Sequence, residues 1–324
     1  MFKRTWSILA VLASGALLAG CSSPAATPKA GPTPAGQTVA SAPARGAQTV
    51  AYRSTLSMAT IVHNLHAKLA AAGWTVVREF DVKTHLAKNK VQVPPSYLME
   101  VLPDKAAAQA VAADPEAGLA FPLRVYLYQE GQVTYASYLS PSSILAAYGQ
   151  SSLTSLGRNL DSQLGQMVRL ASAGVAAPAP ASDTPGQKIE VLTVVGLTQK
   201  QAVKNLDLEI GNHSWGVNNQ QDLTKLAHTA TGYEVEAFSG KLAGELMNAE
   251  LPAGIEIPLR FYFYRQGGKL QLAYLDPSTI FARYRNPAAS KLGRQLDATV
   301  SNMTVPVASG VAPGKVSGLG AGCG

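Results

Sequence analysis

Cysteine is nearly missing from this chain. There are two in 324 residues, Cys21 and Cys323, and so placed they do not read as a structural pair. Charge is also sparse, at 15% of residues against 47% hydrophobic, which puts the bulk of the chain among globular rather than disordered sequences. The net charge of +7 is scattered, and it falls to +5 once Lys3 and Arg4 of an expected leader are discounted (7 − 2). No run of Lys and Arg marks a nucleic-acid footprint, so no nucleic-acid partner is expected. There is no Gly-rich phosphate loop, no Gly-x-Ser-x-Gly elbow and no repeated Ser/His/Asp set. His63 and His66 stand three apart, a spacing that can form a metal edge, but no Cys lies near them and the second copy (below) has Lys204 and Asp207 there. Neither a metal nor another cofactor is expected.

What the chain does have is a repeat. Phe121-Pro122-Leu123-Arg124-Val125-Tyr126-Leu127-Tyr128 returns as Ile257-Pro258-Leu259-Arg260-Phe261-Tyr262-Phe263-Tyr264, an offset of 136 residues (257 − 121). Each copy alternates apolar residues with Arg or Tyr, the period of a strand with one buried face, and Pro stands at the strand start where a missing N–H costs least. The same offset relates Tyr138-Leu139-Ser140-Pro141-Ser142 to Tyr274-Leu275-Asp276-Pro277-Ser278, and Leu156-Gly157-Arg158-Asn159-Leu160-Asp161 to Leu292-Gly293-Arg294-Gln295-Leu296-Asp297. Earlier in each copy, Val62, Leu65, Leu69 and Trp74 answer to Val203, Leu206, Ile210 and Trp215 at an offset of 141 (215 − 74). The first copy therefore has five more residues between Asp81 and Tyr97, a length change of the kind loops tolerate. Two copies at so long a period predict tandem domains rather than a solenoid.

At the amino end, Lys3 and Arg4 precede a short apolar stretch, 8–18, then Leu18-Ala19-Gly20-Cys21. An apolar run this short is expected to be a secretory signal, 1–20, rather than a spanning helix. Its end resembles the lipobox of bacterial lipoproteins, which implies that Cys21 becomes the first mature residue and carries the acyl chains. Several chains on one Cys make a stable membrane anchor. Ser22, in place of an Asp, points to the outer membrane, facing the periplasm. Residues 21–48 are rich in Pro, Ala, Thr and Gly and are expected to form an extended tether. The remaining boundaries are a first domain at 49–175, a linker at 176–187, a second domain at 188–311 and a Gly-rich flexible tail at 312–324.

Both copies predict the same elements: a strand, an amphipathic helix, two strands, a short helix, two strands joined by a tight hairpin, and a broken final helix whose first part is capped by Ser140 or Asp276 with Pro next to it. The hairpins carry Glu130-Gly131 and Gly267-Gly268. This is an α+β class, with antiparallel sheets and helices on one face. Asp114-Pro115-Glu116-Ala117-Gly118, the Phe121–Val125 run and the strand after it resemble the bacterial domain-of-unknown-function family 302, here as two tandem copies. That resemblance implies a β-α-β4-α, TATA-binding-protein-like arrangement in each, with no DNA function implied by the fold. The family pattern often has a Cys after the Pro of the fourth strand, whereas this chain has Leu123 and Leu259, so thiol chemistry there is not carried over.

Strand parity puts Arg124, Tyr126 and Tyr128 on one face, Arg260, Tyr262 and Tyr264 on its equivalent, and Glu100 and Glu236 on the neighbouring strands. Arg and Tyr are enriched in recognition surfaces, so these faces, or a groove between the domains, are expected to bind an envelope partner or a small ligand. The competing arrangement is a face closed by the other copy, with Glu–Arg as a cross-strand pair. The resulting expectation is a lipid-anchored, non-catalytic envelope protein. The alternative is an envelope enzyme with one active and one scaffold copy, its active residues sought in the longer segment 82–95 with His85. Arg158/Asp161 and Arg294/Asp297 are expected to be helix-surface salt bridges. Cys323, a lone thiol in an oxidising compartment, is the candidate for a disulfide-linked dimer.

Overall fold

A computed structural model describes residues 49–179 and 187–313. The expected leader, Cys21, the tether, linker residues 180–186 and tail residues 314–324 with Cys323 lie outside the described residues. The first half runs β1 (Thr49–Ser54), α1 (Met58–Ala71), β2 (Thr75–Asp81), α2 (Val82–Ala87), β3 (Ser96–Leu102), α3 (Asp104–Ala113), a 3-10 turn (Pro115–Ala120), β4 (Leu123–Glu130), β5 (Val133–Leu139), α4 (Pro141–Ala146), α5 (Ser151–Ser172) and β6 (Val175–Ala177). The second half repeats it as β7 (Ile189–Val194), α6 (Gln199–Asn212), β8 (Gly216–Asp222), α7 (Leu223–Leu226), β9 (Tyr233–Phe238), α8 (Gly240–Ala249), a 3-10 turn (Leu251–Glu256), β10 (Leu259–Gln266), β11 (Lys269–Leu275), α9 (Pro277–Ala282) and α10 (Pro287–Ala308). The sheets are ordered β2-β3-β4-β5-β1-β6 and β7-β11-β10-β9-β8. Every strand pairing is antiparallel.

Local chemistry sets these boundaries. The Ser57 side chain accepts from the Thr60 N–H at the start of α1, and Thr198 with Gln201 forms a capping box at α6. Ser140 and Asp276 cap α4 and α9, each followed by Pro. Gly267 and Gly268 both have positive φ, as the two-residue β10–β11 hairpin requires. The five extra residues fall where the sequence puts them: fifteen residues, 82–96, separate Asp81 from Tyr97 and include α2, against ten, 223–232, between Asp222 and Tyr233 in the second half. The expected linker start at 176 overlaps β6, which pairs Ala177 with Ala51 on β1. Pro313 stands at the equivalent place in the second half, has no N–H to donate, and no strand forms there.

Each sheet has two buried faces. On one, Met99, Val101, Val125 and Leu127 meet Ile61, Leu65 and Leu69 of α1 and Leu160 and Leu164 of α5. The second half matches this with Val235, Phe261 and Phe263 against Leu206, Ile210, Leu292 and Leu296. The opposite faces turn toward each other. Leu98, Tyr126 and Tyr128 are covered by Ala243 and Met247 of α8 and by Leu251 and Ile255. Tyr262 and Tyr264 are covered by Leu119 of the first 3-10 turn. The order is thus helices, sheet, sheet, helices. The long helices keep to one face of their own sheet, while each 3-10 turn, and α8 with it, reaches across to the other half.

Candidate functional site

The register decides what the two sheets bring together. Glu100 on β3 lies opposite Arg124 on β4, and Glu236 on β9 opposite Arg260 on β10. These cross-strand pairs then interlock between the halves. Arg124 donates through Nε to Glu100 at 3.0 Å and through Nη2 to Glu236 at 2.6 Å. Arg260 donates through Nη2 to Glu100 at 2.9 Å and through Nε to Glu236 at 3.4 Å. Arg78 of β2 adds a third cation, its Nη1 at 2.6 Å from Glu236. Glu100, Glu234 and Glu236 are fully buried and Arg124 is 6% exposed. Unpaired ions at such depth would cost several kcal/mol each, so the pairing is what permits the burial.

The carboxyls do not share one protonation state. Burial pushes Glu100 up, but the guanidiniums of Arg124 and Arg260 outweigh it and hold the group down at about 2. Burial and the negative charge of Glu100 push Glu236 up to about 7, against the pull of Arg124 and Arg260. Glu234 is also driven well up, first by burial and then by its two acidic neighbours, with Arg260 opposing. Neither of its oxygens has a hydrogen bond among the described residues, and its ion-pair contact, to Arg260 Nε, is at 3.4 Å.

The tyrosines are equally enclosed. A Cβ on Gly254 would sit 2.3 Å from the Tyr126 hydroxyl oxygen, and one on Gly118 would sit 1.9 Å from that of Tyr262. Glycine is therefore required at both places for each Tyr to enter the other half. Tyr128 stacks between Tyr126 and Tyr135, with ring centroids 5.6 and 5.0 Å away. Tyr264 donates to Glu116 at 3.1 Å. The structure thus brings all eight sequence-predicted residues into one region, but it closes the Arg/Tyr faces against each other instead of presenting them to a partner. The Glu100, Glu236, Arg124 and Arg260 charges and the Tyr264 hydroxyl find partners across the interface, whereas the Tyr126 and Tyr262 hydroxyls are enclosed by packing, with no hydrogen bond among the described residues.

A cavity of about 60 Å³ remains where the two halves meet. Equivalent residues line it from both sides: Leu123 with Leu259, Arg124 with Arg260, Ile144 with Ile280. Gln187 and Glu256 add polar groups on the second-half side. Glu256 is held by Arg283 and by the Tyr284 hydroxyl, the latter at 2.8 Å. With its amide oxygen turned to Arg283, Gln187 accepts from Nη1 at 2.8 Å and Nη2 at 3.2 Å.

The segment 82–95 packs as a strap against the second half, and one other expectation, the helix-surface salt bridges, needs correction. Val91 meets Gly244 of α8, Gln92 accepts from Asn248 at 3.0 Å, and His85 sits between Phe80 and Phe238. Burial, with Lys88 and Arg78 nearby, pushes the His85 pKa down. Asp161 and Asp297 do not pair with Arg158 and Arg294: they accept from the Ser142 and Ser278 N–H groups at 3.1 and 2.8 Å, tying each last helix to the short helix before it. His66 faces Glu79 at 2.8 Å. Among the described residues no cluster of three or more His, Cys, Asp or Glu is arranged to hold a metal ion.

A family model described as "Domain of unknown function DUF302" matches residues 50–171 and 192–303. The chain belongs to the DUF302 family. None of the curated proteins compared with it matches. Among solved structures, it is similar to the "uncharacterized conserved protein DUF302 from Bacillus stearothermophilus", at 18% identity and a TM-score of 0.36, over 37% of this chain and 94% of that one.

Set side by side, the two DUF302 copies differ inside the charge cluster. Glu234 occupies the place of Leu98, Arg78 that of Asn219, and Gln221, which donates to Glu100 at 3.3 Å, that of Phe80. Glu256 and Arg283 occupy the places of Ala120 and Ala147. Sequence reasoning missed all of these. The signal was present for Glu234, which shares the strand parity of Glu236 and has an apolar counterpart at the 136-residue offset.

Proposed function

We propose that this DUF302 protein is a lipid-anchored, non-catalytic component of the cell envelope whose two halves together form one binding site for a small ligand. The cavity carries the reading: two arginines, one from each half, meet apolar walls drawn from both halves. A few polar groups in an apolar recess is the usual make-up of a ligand site. The Leu18-Ala19-Gly20-Cys21 run supports anchoring through Cys21, and Ser22 supports the outer membrane. No helix among the described residues is long and apolar enough to cross a membrane. Cys323 is a candidate for an intermolecular disulfide to a second copy or an envelope protein, to be read as a reductant-sensitive band that Cys323→Ser removes.

The ligand reading is tested by a fragment screen on the full-length protein, monitored by thermal shift. Hits should lose their effect in Leu139→Trp, which fills the cavity from a partly buried position. Hits that shift the variant as much as the parent would bind elsewhere and refute the cavity. For the anchor, Cys21→Ala should move the protein from the membrane to the soluble periplasmic fraction, and unchanged partition would refute lipidation.

A further inference from the structure

Arg124 and Arg260 are equivalent in sequence but not in use. Arg124 uses all three of its nitrogens: besides its two carboxylates it donates to the carbonyls of Ile255 at 3.2 Å and Pro258 at 2.9 Å. Arg260 makes no such carbonyl contacts among the described residues. Its Nε and Nη2 serve Glu234, Glu236 and Glu100, and its Nη1 meets no partner there. Its side chain is 11% exposed and lines the cavity.

Charge counting points the same way. Arg78, Arg124 and Arg260 face Glu100, Glu234 and Glu236, three cations to three acids. Among the described residues Glu234 has no hydrogen bond to favour its ionised form, and burial favours its neutral form. With that acid neutral, the cluster has one cation in excess, next to a cavity with mostly aliphatic walls. The other acid at the cavity, Glu256, is already matched by Arg283 and Tyr284. We infer that the cavity takes a small organic carboxylate with an apolar body, its carboxylate received by the Arg260 guanidinium and its body by Leu139, Ile144, Leu275 and Ile280. Arg suits this role because its planar donor fork matches a carboxylate. The inference rests on the cavity reading above and adds the ligand's charge class to it.

The test uses detergent-solubilised full-length protein and fluorine NMR with matched probes: trifluoroacetate, 5-fluoropentanoate and 4-fluorobenzoate, each beside its primary amide. At least one carboxylate should bind saturably and at least tenfold more tightly than its amide. Arg260→Gln should remove that preference, Arg260→Lys should restore part of it, and Leu139→Trp should abolish binding of both members of the pair. Equal binding of carboxylate and amide would overturn the anion assignment and leave the cavity reading intact. A carboxylate preference unchanged in Arg260→Gln would overturn the role of Arg260. No binding by any probe would overturn both readings. The parent comparison needs no variant, so poor folding of Arg260→Gln does not blunt it.

Discussion

Arg124 compensates two buried carboxylates at once, Glu100 of its own half and Glu236 of the other. Its replacement by Leu leaves an uncompensated charge at the centre of the interface. Such a break should cost about 3–5 kcal/mol, read as a lower urea midpoint with an unchanged slope. A loss under about 1 kcal/mol would mean that the ion network contributes little to holding the halves. Glu234 and Glu236 make stability depend on pH with a definite sign. Their native pKa values are raised above the ordinary 4.5, Glu236 to about 7. The folded state therefore holds protons that the unfolded chain has released, and stability is present below pH 4.5 and falls as pH rises toward 7. Glu100, held at about 2, acts oppositely: its contribution is lost as pH falls from 4.5 toward 2. Denaturant midpoints across this range should decline above pH 4.5, and Glu234→Gln should flatten the decline; an unchanged slope in that variant would show that Glu234 is ionised in the native state. The types and parity of Glu100, Arg124 and Tyr126 were legible in the sequence. What they face was not, because strand period fixes a face of a sheet but not what covers it.

At the scale of elements, the repeated Leu-Gly-Arg-x-Leu-Asp stretch is explained by helix contact. A Cβ on Gly157 would lie 2.6 Å from the Ser142 Cα and 2.8 Å from the Pro141 carbonyl, both backbone atoms of α4. Gly293 meets the Pro277 carbonyl at 2.8 Å in the same way. Backbone cannot yield as a side-chain tip can, so Gly157→Ala should destabilise by roughly 1–3 kcal/mol despite the better helix propensity of Ala. Thermal unfolding of that single variant checks it, and a stabilised protein would refute the close approach. The central strands and long helices were readable from periods of 2 and 3.6 residues because each buries a continuous face, whereas the three-residue β6 was read as linker. The short α2 and α7 and the two 3-10 turns were not readable, since six residues or fewer carry too little periodicity. The Asp161 contact was misread for a related reason: spacing along one helix suggested Arg158, whereas the true partner lies on the helix before it.

For the whole molecule, each half has its own helix-side core, but the opposite face of each sheet is completed only by the other half. Tyr126 and Tyr262 enter glycine recesses reciprocally, and the strap at 82–95 closes over α8. The duplication was legible in the sequence, while the mutual closure was only one of two arrangements the strand pattern allowed. The pairing predicts a single cooperative unfolding transition for the full chain, and two separate calorimetric transitions would contradict it. The most direct test opens the connection while leaving both halves intact. A protease site placed within residues 180–186 of the full-length protein, once cut, leaves two chains held by the interface alone. They should co-elute as one species and separate only in denaturant or after Arg124→Leu. Two halves that part on cleavage under native conditions, each keeping its own fold, would contradict the account.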